Sequence, residues 1–191
     1  MIISYIVGII ISYLIGGIPF GYLIAVIKGV DIRTQGSGNI GATNVGRVLG
    51  KKYGLIIFIL DMLKGFAVVL LVPAAVSSAV NISTTTGNLL AVLCGFCAVL
   101  GHAFPVYLKF KGGKAVATSF GVFIWLVPIS IAIAFGVWLL TVIVMRYVSL
   151  GSMIGSMALV VAVVVVVDSP FGDNVYLTAM SVAVAILIIA R

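Results

Sequence analysis

Charge is absent from stretches of this chain long enough to cross a lipid bilayer, and that absence restricts the fold more than any other feature. Met1 to Ile27 holds no Asp, Glu, Lys or Arg. Further apolar blocks cover about 54–76, 88–107, 115–145 and 149–167, with a shorter one at about 175–190. A helix needs roughly 20 apolar residues to cross ~30 Å of hydrocarbon. Backbone groups in that medium must be satisfied within the protein. The expectation is an all-α polytopic membrane protein. Met1–Ile27 lacks the basic leading region and small-residue cleavage site of a secretory signal, so it reads as the first span.

The number of spans follows from where the charges fall. Block 115–145 has 31 residues; as one helix it would be roughly 46 Å long. Pro128 lies near its middle, where it breaks the hydrogen-bond ladder. Segment 28–53 carries Lys28, Arg33, Arg47, Lys51 and Lys52, and segment 108–114 carries Lys109, Lys111 and Lys114. Connections 77–87 and 168–174 carry no cation, and the second holds Asp168 and Asp173. Cations collect on the cytoplasmic side. Splitting the block at Pro128 into a short span and a full one puts Arg146 and Arg191 on that side too. Of the eleven cations only Lys64 then lies within a span. The expectation is seven transmembrane helices in one domain over 1–191, N-terminus out and C-terminus in.

Charged residues are 8% of the chain, against roughly a quarter in soluble domains. The +7 net charge comes without a basic helix bearing interleaved aromatics, so no nucleic acid is implied. Cationic loop ends suit topology and anionic headgroups. Cys94 and Cys97 form a lone C-x-x-C in an apolar run. With no partner constellation they read as small packing residues.

Two cytoplasmic segments are rich in phosphate-binding chemistry. Gln35–Arg47 places Gly36, Gly38 and Gly41 among Ser37, Asn39, Thr43, Asn44 and Arg47. Glycines permit tight turns, the hydroxyls and amides supply hydrogen bonds, and Arg47 is a planar bidentate donor. Turned amides before a helix make an anion site; a flexible loop with Arg47 as topology anchor is the alternative. Gly101–Thr118 contains His102 and the run Lys111-Gly112-Gly113-Lys114 opening a helix. The spacing is not that of an ATP-binding P-loop. His102, the only histidine, is either a hydrogen-bonded structural residue or a participant in chemistry, and without a ligand cluster no metal is expected. No acid accompanies it in sequence, so no Ser-His-Asp arrangement is argued. At the fifth-to-sixth span junction, Ser149 and Ser152 either cap the next helix or offer hydroxyls to phosphate. Asp61 and Lys64, three apart within a span, share a helix face. They read as a mutual or interhelical pair bordering the site.

Together, Gly36–Arg47, the run Gly-His-Ala-Phe-Pro with Lys-Gly-Gly-Lys-Ala-Val-Ala-Thr over 101–118, and Tyr-Val-Ser-Leu-Gly-Ser over 147–152 resemble the bacterial acyl-phosphate:glycerol-3-phosphate acyltransferase family. The resemblance runs from the first span to the last. It implies a seven-span enzyme of the bacterial inner membrane, with its active site facing the cytoplasm and no cofactor. The substrates would be glycerol-3-phosphate and acyl phosphate, with lysophosphatidic acid entering the membrane lipid. A transient contact with the soluble enzyme that makes acyl phosphate would follow. Ser37, Asn39, Asn44 and Arg47 would line the site. Lys114, the amides of Gly112 and Gly113, and Ser149 and Ser152 would hold phosphate, and His102 would line or orient the pocket.

Two departures accompany the resemblance. The family usually has Gly where this chain has Ala115. It also usually continues into a short cytoplasmic tail bearing His, Asn and Arg, where this chain stops at Arg191. For the proton of the attacking hydroxyl, a substrate phosphate is the preferred acceptor over His102, because no acid is visible to orient the histidine. Gly16, Gly17 and Gly21 would permit a cleft for the acyl chain between helices. The main rival is a transporter for an anionic solute, which broken helices and mid-span charges also suit.

Overall fold

The computed structural model describes residues 2–79 and 84–191, and within them the regular structure is helical. The helices are α1 (Ile2–Gly17), α2 (Phe20–Ile27), α3 (Ala42–Val48), α4 (Lys51–Ala79), α5 (Thr84–Ala103), α6 (Val116–Leu126), α7 (Pro128–Met145), α8 (Val148–Val166) and α9 (Val175–Ala190). Of the charge-free connection expected at 77–87, residues 80–83 lie outside those described. Five segments are long and apolar enough to cross a membrane, α1 and α2 being counted as one. At 11 and 16 residues, α6 and α9 fall short of the roughly 20 needed for a full crossing.

The break expected at Pro128 is present. Helix α6 ends at Leu126, Val127 leaves helical geometry at φ −145°, and Pro128 starts α7. A proline is well placed there, because its missing N–H is one that a helix start leaves unpaired. A second break divides the first span, which the sequence reading took as continuous. Pro19 cannot donate to the ladder, so α1 stops at Gly17 and α2 starts at Phe20. The Ile18 carbonyl, freed from regular helix pairing, accepts the Lys64 ammonium at 2.8 Å. By contrast Pro73 is carried within α4.

Large apolar side chains such as Leu140, Ile143 and Val165 point outward. Phe123, Val99, Val122, Val163 and Val184 form the main core. Lipid tails provide little hydrophobic drive between helices, so close backbone approach through small residues takes its place. A side chain on Gly16 would strike the Ala98 backbone, and one on Gly101 would strike the Tyr13 carbonyl. Gly21 sits as tightly on the Ile40 carbonyl. Gly16 and Gly21 therefore serve close helix and loop contact, whereas an added Cβ on Gly17 would meet the Tyr107 ring. On the far side Gly151 and Gly155 seat α8 on Trp138 of α7. Cys94 is buried and Cys97 half-buried, both as free thiols, which suits the packing role expected of them.

Gly16→Leu and Gly101→Leu should each destabilise the protein by about 2–4 kcal/mol through overpacking. Gly136→Ala, where an added Cβ meets nothing within 4 Å, should leave the unfolding midpoint unchanged or raised. Thermal unfolding of the three variants in detergent checks both expectations.

Candidate active site

The loop between α2 and α3 is held by one side chain. Asn44 is 2% exposed, and its Oδ1 accepts the Ser37 N–H at 2.8 Å. Its Nδ2 donates to the carbonyls of Asn39 at 2.9 Å and Gln35 at 3.0 Å, with a longer contact of 3.4 Å to Ile32. Gly36 and Gly38 take positive φ values of 58° and 70°, and a side chain on Gly36 would strike Asn44. Asn39 accepts the Gly41 N–H at 2.8 Å. The amide of Asn44 is thus spent on shaping the loop, while Ser37 on the same loop is exposed.

The cations of this region divide in two. Arg33 pairs with Asp31 at 2.7 Å and lies over the Tyr22 ring at 4.7 Å. Its hydrogen bonds hold the Asp31 carboxyl down at about 2. Arg47, exposed on the last turn of α3, has no ion-pair or hydrogen-bond partner among the described residues.

The second segment folds back on the end of α5. Gly112 N–H donates to the Ala103 carbonyl at 3.2 Å, and Gly113 N–H to the His102 carbonyl at 3.1 Å. Those carbonyls end a helix and need donors. The two amides expected to hold phosphate are therefore occupied, and the free ones lie farther on. Helix α6 starts with no side-chain cap, so the N–H groups of Val116, Ala117 and Thr118 have no partner within the helix. Lys114, half-buried, stands directly before them. Thr118 and Ser119 are buried, with hydroxyls that have no hydrogen-bond partner among the described residues. Ala115, the helix's N-cap, is held at φ +59°, a left-handed geometry that costs a non-glycine residue about 1–2 kcal/mol.

Behind this turn lies a buried charged cluster. Lys64 and Asp61 pair at 2.7 Å, each side chain 3% exposed, as their spacing predicts. The histidine assignment needs correction. His102 does have an acid, because Asp61 Oδ1 lies 3.5 Å from His102 Nδ1. Residue spacing cannot reveal this pair, since α4 and α5 bring its members together across a helix interface. The other face of the imidazole meets Gly113, where a Cβ would collide with Nε2. Around the same helix end, Tyr13 donates to the Phe104 carbonyl. Arg191 donates to the Ala103 carbonyl and lies over the Phe104 ring at 4.6 Å.

The serines of α8 stand differently from expectation. Tyr147 is the N-cap, with no side-chain cap hydrogen bond, so neither serine caps the helix. Ser152 Oγ donates back to the Val148 carbonyl at 2.9 Å, as a serine inside a helix does, and Ser149 is exposed. Helix α8 packs chiefly on α7 and α9. The structure thus joins His102, Gly112, Gly113 and Lys114 in one unit. Ser37, Asn39, Asn44 and Arg47 form a second, and Ser149 and Ser152 a third.

A sequence profile described as glycerol-3-phosphate acyltransferase matches residues 6–191. The glycerol-3-phosphate acyltransferase of Desulforamulus reducens is 49% identical over 158 residues, covering 82% of this chain and 74% of that protein. Glycerol-3-phosphate acyltransferase 2 of Bacillus anthracis is 42% identical over 188 residues, covering 97% and 91%. Among solved structures, PlsY, described as an integral membrane glycerol 3-phosphate acyltransferase, superposes in its glycerol 3-phosphate form with a TM-score of 0.83. That match is at 40% identity and covers 98% of this chain and 88% of the other. Its lysophosphatidic acid form superposes with a TM-score of 0.82.

Ala115→Gly should hold stability within about 1 kcal/mol, because relieved backbone strain offsets the loss of one buried methyl. Ala115→Val, β-branched at positive φ, should lower it by about 2 kcal/mol or more. Asn44→Asp should loosen the 32–41 loop, because a carboxylate oxygen would replace the amide that faces three carbonyls. Faster proteolytic cutting within that loop, against an unchanged rate elsewhere, is the expected readout.

Proposed function

The chain belongs to the glycerol-3-phosphate acyltransferase family, and from that premise we propose that it moves the acyl group of an acyl phosphate to the primary hydroxyl of glycerol-3-phosphate. The products are lysophosphatidic acid and inorganic phosphate. The observation that carries this reading is the start of α6, where backbone amides without a side-chain cap follow the half-buried Lys114 in sequence, and Thr118 and Ser119 bring buried hydroxyls to the same first turn. A helix N-terminus of this kind favours an anion through its free donors and its dipole. Arg47, on the last turn of the helix that follows the loop carrying Ser37 and Asn39, supplies a second cation without a partner among the described residues. Ser149 is available to a phosphate oxygen from α8, while Asn44, Gly112 and Gly113 build the loops.

In the proposed reaction the acceptor hydroxyl oxygen bonds to the acyl carbonyl carbon, and the bond from that carbon to the phosphate oxygen breaks. Inorganic phosphate leaves with the electron pair. The hydroxyl proton passes to a phosphate oxygen of the bound substrates. His102 is a poor candidate for that proton even with Asp61 beside it, because its ring is enclosed between Asp61 and Gly113 and the residue is only 5% exposed. An acyl phosphate is already activated, so positioning and charge neutralisation by Arg47, Lys114 and the α6 amides suffice as the catalytic means.

The acyl chain enters sideways from the lipid. An apolar groove of about 310 Å³ lies at the break of the first span, lined by Ile18, Pro19, Tyr22, Leu23, Tyr107 and Leu108. Its Ile18 accepts from Lys64, which places the groove beside the charged cluster. Counting α6 and α9 as short crossings gives seven spans, with the outside N-terminus and inside C-terminus that the charge distribution favours. The site then faces the cytoplasm at the bacterial inner membrane, where the soluble source of acyl phosphate can reach it.

Purified protein incubated with acyl phosphate and glycerol-3-phosphate should release phosphate and form lysophosphatidic acid in equal amounts. Solute flux in proteoliposomes without product would instead favour a transporter. Arg47→Ala and Lys114→Ala should each lower the rate by roughly a hundredfold or more. His102→Gln should lower it without abolishing it; total loss in a folded variant would make His102 the base.

A further inference from the structure

The acyl-transfer scheme gives no direct role to the two charges buried within α4. Replacing a buried ion pair with apolar residues of similar size is often neutral or stabilising, so packing alone does not call for this one. Ionisable groups inside a membrane protein are costly and tend to mark function.

The surroundings of Asp61 and Lys64 are specific. Lys64 Nζ reaches Asp61 at 2.7 Å and the Ile18 carbonyl at 2.8 Å, and lies over the Phe20 ring at 5.5 Å. It therefore ties α4 to the break between α1 and α2. Asp61 Oδ1 faces His102 Nδ1 at 3.5 Å, and that nitrogen has no hydrogen-bond partner among the described residues. The gap is slightly longer than a hydrogen bond. An ionised carboxylate only accepts hydrogen bonds, so the imidazole nitrogen facing it must carry the hydrogen. In a neutral ring this leaves Nε2 bare, and Nε2 is the atom seated on Gly113. The main chain of His102 holds the same residue, its carbonyl accepting Gly113 N–H. Gly113 directly precedes Lys114 and the start of α6.

We propose that Asp61 and Lys64 are positioning residues. Lys64 keeps the Asp61 carboxylate charged, Asp61 fixes the tautomer and plane of the His102 ring, and the ring holds Gly113 so that Lys114 and the α6 amides meet phosphate. The role assigned to this relay rests on the proposed reading of the α6 start as a phosphate site. Two close contacts support the coupling. Gly65, next to Lys64, packs on the Thr118 carbonyl, and Gly121 packs on the Met62 carbonyl. Any shift of the charged turn of α4 is therefore felt at the first turn of α6.

The single histidine makes the test direct, because protein labelled with 15N-histidine shows one imidazole. In the wild type the Nδ1–H tautomer is expected. The double variant Asp61→Asn/Lys64→Met, which removes both charges and leaves neither unpaired, should shift the ring toward Nε2–H. Its kcat/KM should fall roughly tenfold to a hundredfold, as for small displacements of a reacting geometry. Adding the double change to His102→Gln should cause no further loss.

An Nε2–H tautomer in the wild type overturns the proposal without recourse to any variant. So does an unchanged tautomer in a folded double variant, or a loss in the triple variant equal to the product of the separate losses. Failure of the acyltransferase reading is distinguishable. It appears as absent lysophosphatidic acid from the wild type, whereas the imidazole spectrum reports the relay without turnover.

Discussion

A lysine ammonium sealed inside the helix bundle organises the half of the protein that carries the candidate site. Charge within a membrane protein persists only where partners replace water. Lys64 finds them in the Asp61 carboxylate and the Ile18 carbonyl. The second partner exists because Pro19 interrupts the first span, since backbone oxygens freed at such depth must be satisfied by protein. Break and charge thus solve one another's problem. A continuous first helix would leave Lys64 with one acceptor fewer, and an apolar residue at 64 would leave the Ile18 carbonyl poorly served. His102, the start of α6 and the apolar groove at the first-span break all lie around this knot.

The knot is reached because the helices approach one another so closely. Gly16 rests on Ala98, Gly101 on Tyr13, Gly65 on Thr118 and Gly121 on Met62, each against backbone. Packing at that range aligns α1, α4, α5 and α6 so that Asp61, His102 and the start of α6 share one small volume. Larger residues would add dispersion contacts while moving these groups apart. Small residues at interfaces are a usual means of helix association where lipid surrounds the bundle. Here they also set the distances on which the polar cluster depends.

Within the loops, chemistry depends on which donors remain free. Asn44 and the amides of Gly112 and Gly113 belong to residue types that bind phosphate well, yet each is occupied inside the protein. Asn44 draws a glycine-rich loop into one shape, and the two glycines close the end of α5. Among the described residues, the groups left over include Arg47, Lys114, the first amides of α6 and the hydroxyls of Thr118 and Ser119. Residue type suits phosphate in both segments, while hydrogen bonding separates the groups already occupied inside the protein from those left free. Thr118 closes the second segment and Ser119 follows it, and by residue type alone hydroxyls in an apolar helix are unexceptional. Burial without a partner is what makes them informative.

Read alone, the sequence determined the all-helical membrane class, the break at Pro128, the Asp61–Lys64 pair and the two phosphate-suited segments. Each depends on local properties: runs without charge, a missing N–H, a three-residue helical spacing, and clustered glycine beside cations. Tertiary structure alone decided that His102 has an acid, that a lysine from another helix fills the break at Pro19, and that Gly16, Gly101 and Gly21 serve contact. It also decided which amides stay free. The physical reason is shared by all four. Hydrogen-bond partners and close backbone approaches are set by which helix faces which, and that choice is made by the packing of the whole bundle.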